Sequence, residues 1–308
     1  MAHTSVLLHE SIEGLAIRQD DVFVDATLGD GGHSAEVLLR FGDSIQVIGI
    51  DRDQDMIDRV SNRFAAEFPE AVDSGSVKLL QGNFRDLEKI LAQEQVSHVD
   101  RFLFDVGFNS RQVEESNRGF SFQKDEPLIM TFERPEGSTA NKSRITARDV
   151  VNDWQQENLE AIISGFGEER FARRIARGIV EARAVQPIET TGQLVSIIKS
   201  NTPFYYHHGH LHPATRTFQA IRIAVNDELE AIRDGLKSAW KLLSPGGRIA
   251  VIAFHSLEDR IVKHYFAELA ANGAKRIMKK PITATESEIS TNARSRSAKL
   301  RIIEKPEH

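Results

Sequence analysis

An apolar run, Val22-Phe23-Val24, ends in Asp25 and gives way to Ala26-Thr27-Leu28-Gly29-Asp30-Gly31-Gly32-His33-Ser34. That is a glycine-dense turn leading into a helical pattern. A second apolar run, Val47-Ile48-Gly49-Ile50, ends at Asp51. A buried strand, a tight turn, a helix start and a carboxylate closing the next strand narrow the fold to an open α/β sheet. Such sheets bind ligands at the carboxyl ends of their strands. Backbone N–H groups at the helix start suit an anionic group, and Asp51 suits ribose hydroxyls.

The rest of the first third keeps this rhythm. Strands are expected at 21–26, 46–51, 77–81 and 100–106, with helices at 33–41, 53–68 and 85–94, the pattern of a mostly parallel sheet. Between Gln112 and Pro213 the strand signal disappears. Ile162, Ile163, Phe166, Phe171, Ile175 and Ile179 recur at helical intervals, and the spacing predicts helices over 146–164, 168–184 and 190–200. A long helix at 214–243, stopped by Leu243-Ser244-Pro245-Gly246-Gly247, leads to a buried strand at 248–254. Residues 299–304 alternate as an edge strand. Segment 283–298, rich in Ser and Thr, is expected to be mobile. The organisation is a discontinuous α/β domain, 1–113 with 213–308, and a helical insertion, 114–212, for substrate recognition.

Composition excludes several chemistries. The chain of 308 residues has no cysteine, which removes disulfides, thiolate catalysis and cysteine-bound zinc. No apolar stretch approaches the roughly 20 residues that cross a bilayer, so no membrane association is expected. The N-terminal stretch lacks a signal-peptide pattern, and the expected location is cytoplasmic. A formal charge of −6 gives no global attraction to nucleic acid, so any such binding must use local basic patches. No apolar stripe demands a homodimer, which stays open.

The glycine turn lacks the final small residue of a dinucleotide motif, which argues against a nicotinamide-dependent oxidoreductase. With Asp25 four residues before Gly29, it fits the acidic-x-x-x-G-x-G pattern of S-adenosylmethionine sites. Asn83 and Phe84, past the third strand, are placed to read adenine. Asp105, ending the fourth, falls near the positive sulfur. Taken singly, each has a plainer role: a tight turn, a helix cap at Asp51, core packing at Phe84. Their joint placement at successive strand ends favours the cofactor.

Longer strings point further. They include Asp25-x-Thr27-Leu28-Gly29-x-Gly31-Gly32-His33-Ser34, Arg118-Gly119-Phe120-Ser121-Phe122 and Gly167-Glu168-Glu169-Arg170-Phe171. Later come His212-Pro213-Ala214-Thr215-Arg216, Phe254-His255-Ser256-Leu257-Glu258 and Arg294-x-Arg296-Ser297-Ala298-Lys299-Leu300-Arg301. Across almost its whole length the chain resembles the MraW family of bacterial small-subunit ribosomal RNA cytosine-N4 methyltransferases. The resemblance implies a class I, Rossmann-like methyltransferase fold with a helical insertion. It also implies S-adenosylmethionine contacts at Gly31, Gly32, His33, Asp51, Phe84, Asp105 and Gln112, the last from the resemblance alone. The implied partner is small-subunit ribosomal RNA or the small ribosomal subunit.

Two stretches depart from the family. Asp105-Val106-Gly107-Phe108-Asn109-Ser110-Arg111-Gln112 stands for D-L-G-V-S-S-P-Q, and Pro127-Leu128-Ile129-Met130-Thr131-Phe132 for P-L-D-M-R-M. Both fall near the expected target base. The alternative reading is therefore a donor- and RNA-binding protein with weak or lost catalysis.

The cytosine amine is a weak nucleophile that needs its hydrogens held by acceptors. The expected catalytic groups are the Asp105 carboxylate, the backbone around Gly107 and the Asn109 amide. The base must leave any stack to react, which favours an accessible RNA stretch. Basic residues from Lys275 to Lys305 offer phosphate contacts, and Arg170, Arg173, Arg174 and Arg177 form a helical stripe. The Tyr205–His212 run is expected to be an exposed loop whose aromatics stack on RNA. It is not read as a metal site, and no metal is expected.

Overall fold

The computed structural model describes residues 5–107, 117–133, 145–209 and 211–307. The chain divides into two compact units, residues 1–107 with 229–308, and residues 108–228. The first unit runs α1 (Leu8–Leu15), β1 (Val22–Asp25), α2 (Gly32–Phe41), β2 (Gln46–Asp51), α3 (Gln54–Glu67), α4 (Pro69–Asp73), β3 (Val77–Gln81), α5 (Leu87–Gln93) and β4 (Val99–Asp105). The second holds α6 (Ala147–Asp153), α7 (Gln156–Gly165), α8 (Ala172–Arg183), α9 (Thr191–Ser200) and α10 (Thr215–Asn226). The first resumes within α11 (Glu228–Leu242), followed by β5 (Leu243–Ala253), α12 (Ser256–Ala271), β6 (Lys275–Arg276), α13 (Glu286–Thr291) and β7 (Lys299–Glu304).

The sheet order is β3-β2-β1-β4-β5-β7-β6, parallel from β3 to β5, with β7 antiparallel to both neighbours. Alternate residues serve opposite faces. Phe23, Val47 and Leu103 join Val37, Leu38 and Phe64 in one apolar core. Val24, Ile48, Phe102 and Phe104 join Leu87, Ile232, Leu236 and Phe266 in the other. A sheet covered on both faces needs apolar residues at every position, which is why its strands read as continuous apolar runs. Asp25 pairs with Gly49 on one side and Leu103 on the other, so Asp51 and Asp105 stand two residues further along the flanking strands. The strand order reverses between β1 and β4, where open α/β sheets leave their crevice.

The helical unit is built around Leu128, Val150, Leu159, Ile163, Ile175, Ile179, Leu194, Phe218 and Ile221. Thr146 with Asp149, and Thr190 with Gln193, form capping boxes at the starts of α6 and α9. The departing stretch around Ile129 and Thr131 is tied down by its backbone. Asn226 Nδ2 donates to the Met130 carbonyl (2.7 Å), and Arg118 Nη1 to the Phe132 carbonyl (2.7 Å).

Several expectations need revising. The helix expected over 214–243 is two helices, because Asp227 adopts a left-handed φ of 49° that stops α10. Phe218, Ala220 and Ile221 of α10 pack in the helical unit, whose division falls at 228, where the sequence reading set it at 212. Helix 146–164 is likewise two, interrupted at Trp154 and Gln155. The tract Leu243–Gly247 does not merely stop a helix: it opens β5, with Leu243 paired to Val99. Segment 283–298 is not free chain. It forms α13 and the 3-10 turn Ala293–Ser297, Ser295 is buried, and Glu288 Oε1 accepts from the Leu7 N–H (2.8 Å). β7 is not the sheet's edge, since the two-residue β6 lies outside it.

Candidate functional site

Three carboxylates close three neighbouring strands of the first unit. Asp25, 1% exposed, accepts from Ser34 Oγ (2.8 Å) and from the Thr27 N–H (3.3 Å), which fixes the turn and the first turn of α2. Asp51 accepts from the Gly29 N–H (2.8 Å) and the Asp53 N–H (2.9 Å). Asp105 is anchored by its backbone, whose N–H donates to Thr27 Oγ1 (2.6 Å), while its Oδ1 is buried and, among the described residues, without a hydrogen-bond partner.

All three resist ionisation. Burial pushes Asp25 up to about 6, against the pull of the Ser34 hydroxyl and the Thr27 amide. Burial likewise pushes Asp51 up to about 6, opposed by the Asp53 and Gly29 amides. Asp105 rises to about 7, chiefly through burial and with the charge of Asp25 adding to it, although Arg294 pulls the other way. Leaving a charge out of water is costly unless something opposite in sign approaches it. The strand-end edge thus carries carboxyl groups that burial holds well above their ordinary range.

The glycine turn supplies the complementary end. Gly31 is the N-cap of α2 at φ 69°, a conformation that favours glycine, and no side chain caps the helix. A Cβ on Gly31 would lie 2.9 Å from Val60 Cγ1, and one on Gly32 only 2.0 Å from Ser5 Oγ. The α2 start is thus close-packed backbone, with its positive dipole end toward the turn. The buried His33 ring lies 3.2 Å from the Val6 carbonyl through Nε2, so its side chain secures the N-terminal segment.

At the third strand, Asn83 Oδ1 accepts from the Arg85 N–H (3.1 Å), making Asn83 a cap. Phe84 is half-buried and edge-on to Phe104 at 5.7 Å. Gly235 of α11 admits it, since a Cβ there would come within 2.7 Å of that ring. Gly107 has a similar role, with a Cβ placed 2.5 Å from Phe254. Asn109 and Gln112, with Phe108, lie outside the described residues.

The sequence reading missed Thr27 and Ser34, whose hydroxyls tie Asp105 and Asp25 to one turn. Their spacing from Asp25 was the available signal. Part of the basic C-terminal stretch makes contacts within the fold. Lys299 and Arg301 pair with Asp259 (3.3 and 2.6 Å), Lys275 with Glu304 (3.5 Å), and Lys305 donates to the Trp240 and Leu243 carbonyls. These contacts tie the four side chains to the first unit, with Lys275 still largely exposed. Arg294 lies over the Phe254 ring at 5.8 Å, and its charge acts on Asp105. His255 is the N-cap of α12, in a capping box with Glu258.

A seven-stranded sheet of this order, with antiparallel β7 and a glycine turn between strand-end carboxylates, defines a class I methyltransferase. Within that class, the chain belongs to the MraW methylase family, whose pattern matches residues 1–306. It is 43% identical over 320 residues to ribosomal RNA small subunit methyltransferase H of Citrifermentans bemidjiense. It is 42% identical over 319 residues to the protein of that name from Limosilactobacillus fermentum, and 40% over 319 residues to that of Brevibacillus brevis. Each comparison covers 98% of both chains. Among the described residues, no helix is long and apolar enough to cross a membrane.

Proposed function

We propose that this protein transfers a methyl group from S-adenosylmethionine to the N4 amine of a cytidine in small-subunit ribosomal RNA. The names of its relatives support the RNA class. The observation that carries the chemistry is the buried Oδ1 of Asp105 at the end of β4, which has no partner among the described residues. The site residues fit the donor. Carboxylates strained by burial are relieved by a positive sulfur, and the uncapped start of α2 suits the donor's own carboxylate. Gly31, Gly32 and the backbone of His33 would line the donor, Asp51 its ribose and Phe84 its base, with Gln112 assigned by family resemblance. When bound, the donor supplies a methyl group already activated on sulfur.

The chain's own residues then orient and deprotonate. Asp105, poised near pH 7, accepts a hydrogen bond from the cytosine amine and takes its proton as the N–C bond forms and the S–C bond breaks. Thr27 holds the Asp105 backbone during this step. The backbone at Gly107 and the Asn109 amide are the remaining acceptor candidates. Holding the amine in line with the methyl group can lower such a barrier by roughly 7–11 kcal/mol.

The test is methyl transfer from labelled donor to naked small-subunit RNA and to assembled subunits, with mass mapping of the product. N4-methylcytidine is expected, and methyl on another atom or base would overturn the assignment. Donor binding without any product would leave a donor- and RNA-binding protein, the reading that the changes at Ile129 and Thr131 favour.

A further inference from the structure

We infer that the helical unit carries a preformed stacking platform for unpaired RNA, at the junction of the turn before α8 with the 3-10 turn Phe204–His208. The inference rests on the reading of this chain as an RNA methyltransferase and assigns where that RNA is held.

Two segments distant in sequence are locked together there. Glu169, 2% exposed, accepts from the Phe171 N–H (2.8 Å) and from the Tyr206 hydroxyl (2.5 Å). The Arg170 guanidinium then lies over three rings, 4.8 Å from Phe171, 5.0 Å from Tyr206 and 5.6 Å from Tyr205. Phe171 and Tyr206 meet edge-on at 5.1 Å. The inner half of the cluster is rigid and satisfied.

Its outer half is exposed. Tyr205 is 64% exposed and Phe204 77%, with Phe204 edge-on to His208 at 4.6 Å. Large rings left in water forgo burial that would stabilise the fold, and adjacent exposed aromatics mark a contact surface. The neighbouring charge names the partner. Arg170, Arg173 and Arg174 are exposed, and among the described residues none of the three pairs with a carboxylate. Arg177, also exposed, has only Glu181 at 3.5 Å. Rings with sequence-tolerant π-faces, beside guanidinium groups free to take phosphates, match single-stranded RNA. In this arrangement Tyr205, backed by Arg170, stacks on an unpaired base, while Arg173 and Arg174 take the adjoining phosphates.

Tyr205→Ala should raise the RNA KM roughly tenfold, leaving kcat and the donor KM unchanged, and the ring-restoring Tyr205→Phe should recover it. Arg173→Gln with Arg174→Gln should lower the log–log salt slope of RNA binding by about 1.4, the value for two single-strand phosphates. Tyr205 is exposed, so its variants should melt with the wild type. Ultraviolet crosslinking of the bound complex should join the 204–206 segment to a nucleotide. An unchanged RNA KM in Tyr205→Ala overturns the inference, as does a crosslink from this segment to a ribosomal protein. If the wild type methylates no RNA, the reading as a methyltransferase fails, and the salt slope and the crosslink, which need no turnover, still decide whether this platform holds RNA.

Discussion

At the edge of the sheet, Asp25, Asp51 and Asp105 are carboxylates withdrawn from water. On α8 of the helical unit, Arg173 and Arg174 stand in water, with no carboxylate among the described residues paired to them. One unit tolerates negative charge inside, and the other gathers positive charge outside. A carboxyl group raised from its ordinary value holds its proton longer in the folded chain than in the unfolded one. Between about pH 4 and 7 the three aspartates therefore make stability fall as pH rises. The exposed arginines forgo only weak surface pairing. The difference suits the two ligands proposed above: a compact cation that must be desolvated, and an extended anion held at the surface.

Four substitutions sharpen or break that contrast. The largest effect is expected for Asp105→Asn, with kcat lowered about 10²- to 10⁴-fold. Its melting temperature should rise above wild type at pH 8 and match it near pH 4, because the variant has no buried charge to lose. Equal melting at pH 8 would show that the Asp105 carboxylate is no burden. In the helical unit, Glu169 is a buried carboxylate of the opposite kind, fully used by Phe171 and Tyr206. Glu169→Ala should destabilise by about 1–3 kcal/mol in denaturant titration, the loss attached to leaving buried donors unmatched. Arg294→Gln removes the cation that holds Asp105 down, so the acid limb of the kcat profile should move up by on the order of one pH unit. An unmoved limb would dissociate Arg294 from the site. The smallest effect belongs to Arg173→Ala, whose unfolding free energy should stay within about 0.5 kcal/mol of wild type.

Much of the sheet was legible because its signals are local. The runs 46–51 and 77–81 coincide with β2 and β3, and the turn after Asp25 opens α2 within a residue of expectation. Strand-end carboxylates could be located for the same reason, since a buried strand that stops at an acidic residue announces both its end and its edge. What escaped depends on partners far along the chain. Whether Leu243 begins a strand is decided by Val99, and whether 283–298 is ordered by the Leu7 amide. The pairing of Lys299 and Arg301 with Asp259, some forty positions earlier, is likewise invisible in the local sequence. The break at Asp227 is a single backbone rotation with no glycine or proline to mark it.

The order of strands also sets the sequence in which the molecule can assemble on the ribosome. β4 ends at Asp105, but its neighbour β5 begins only at Leu243, after the whole helical unit. During synthesis the helical unit emerges while the half-sheet of β1 to β4 still offers an open hydrogen-bonding margin. β7 lies between β5 and β6, and Glu288 reaches back to Leu7. The cluster around Asp105, on which the charge of Arg294 acts, is thus complete only once the last stretch of the chain is in place.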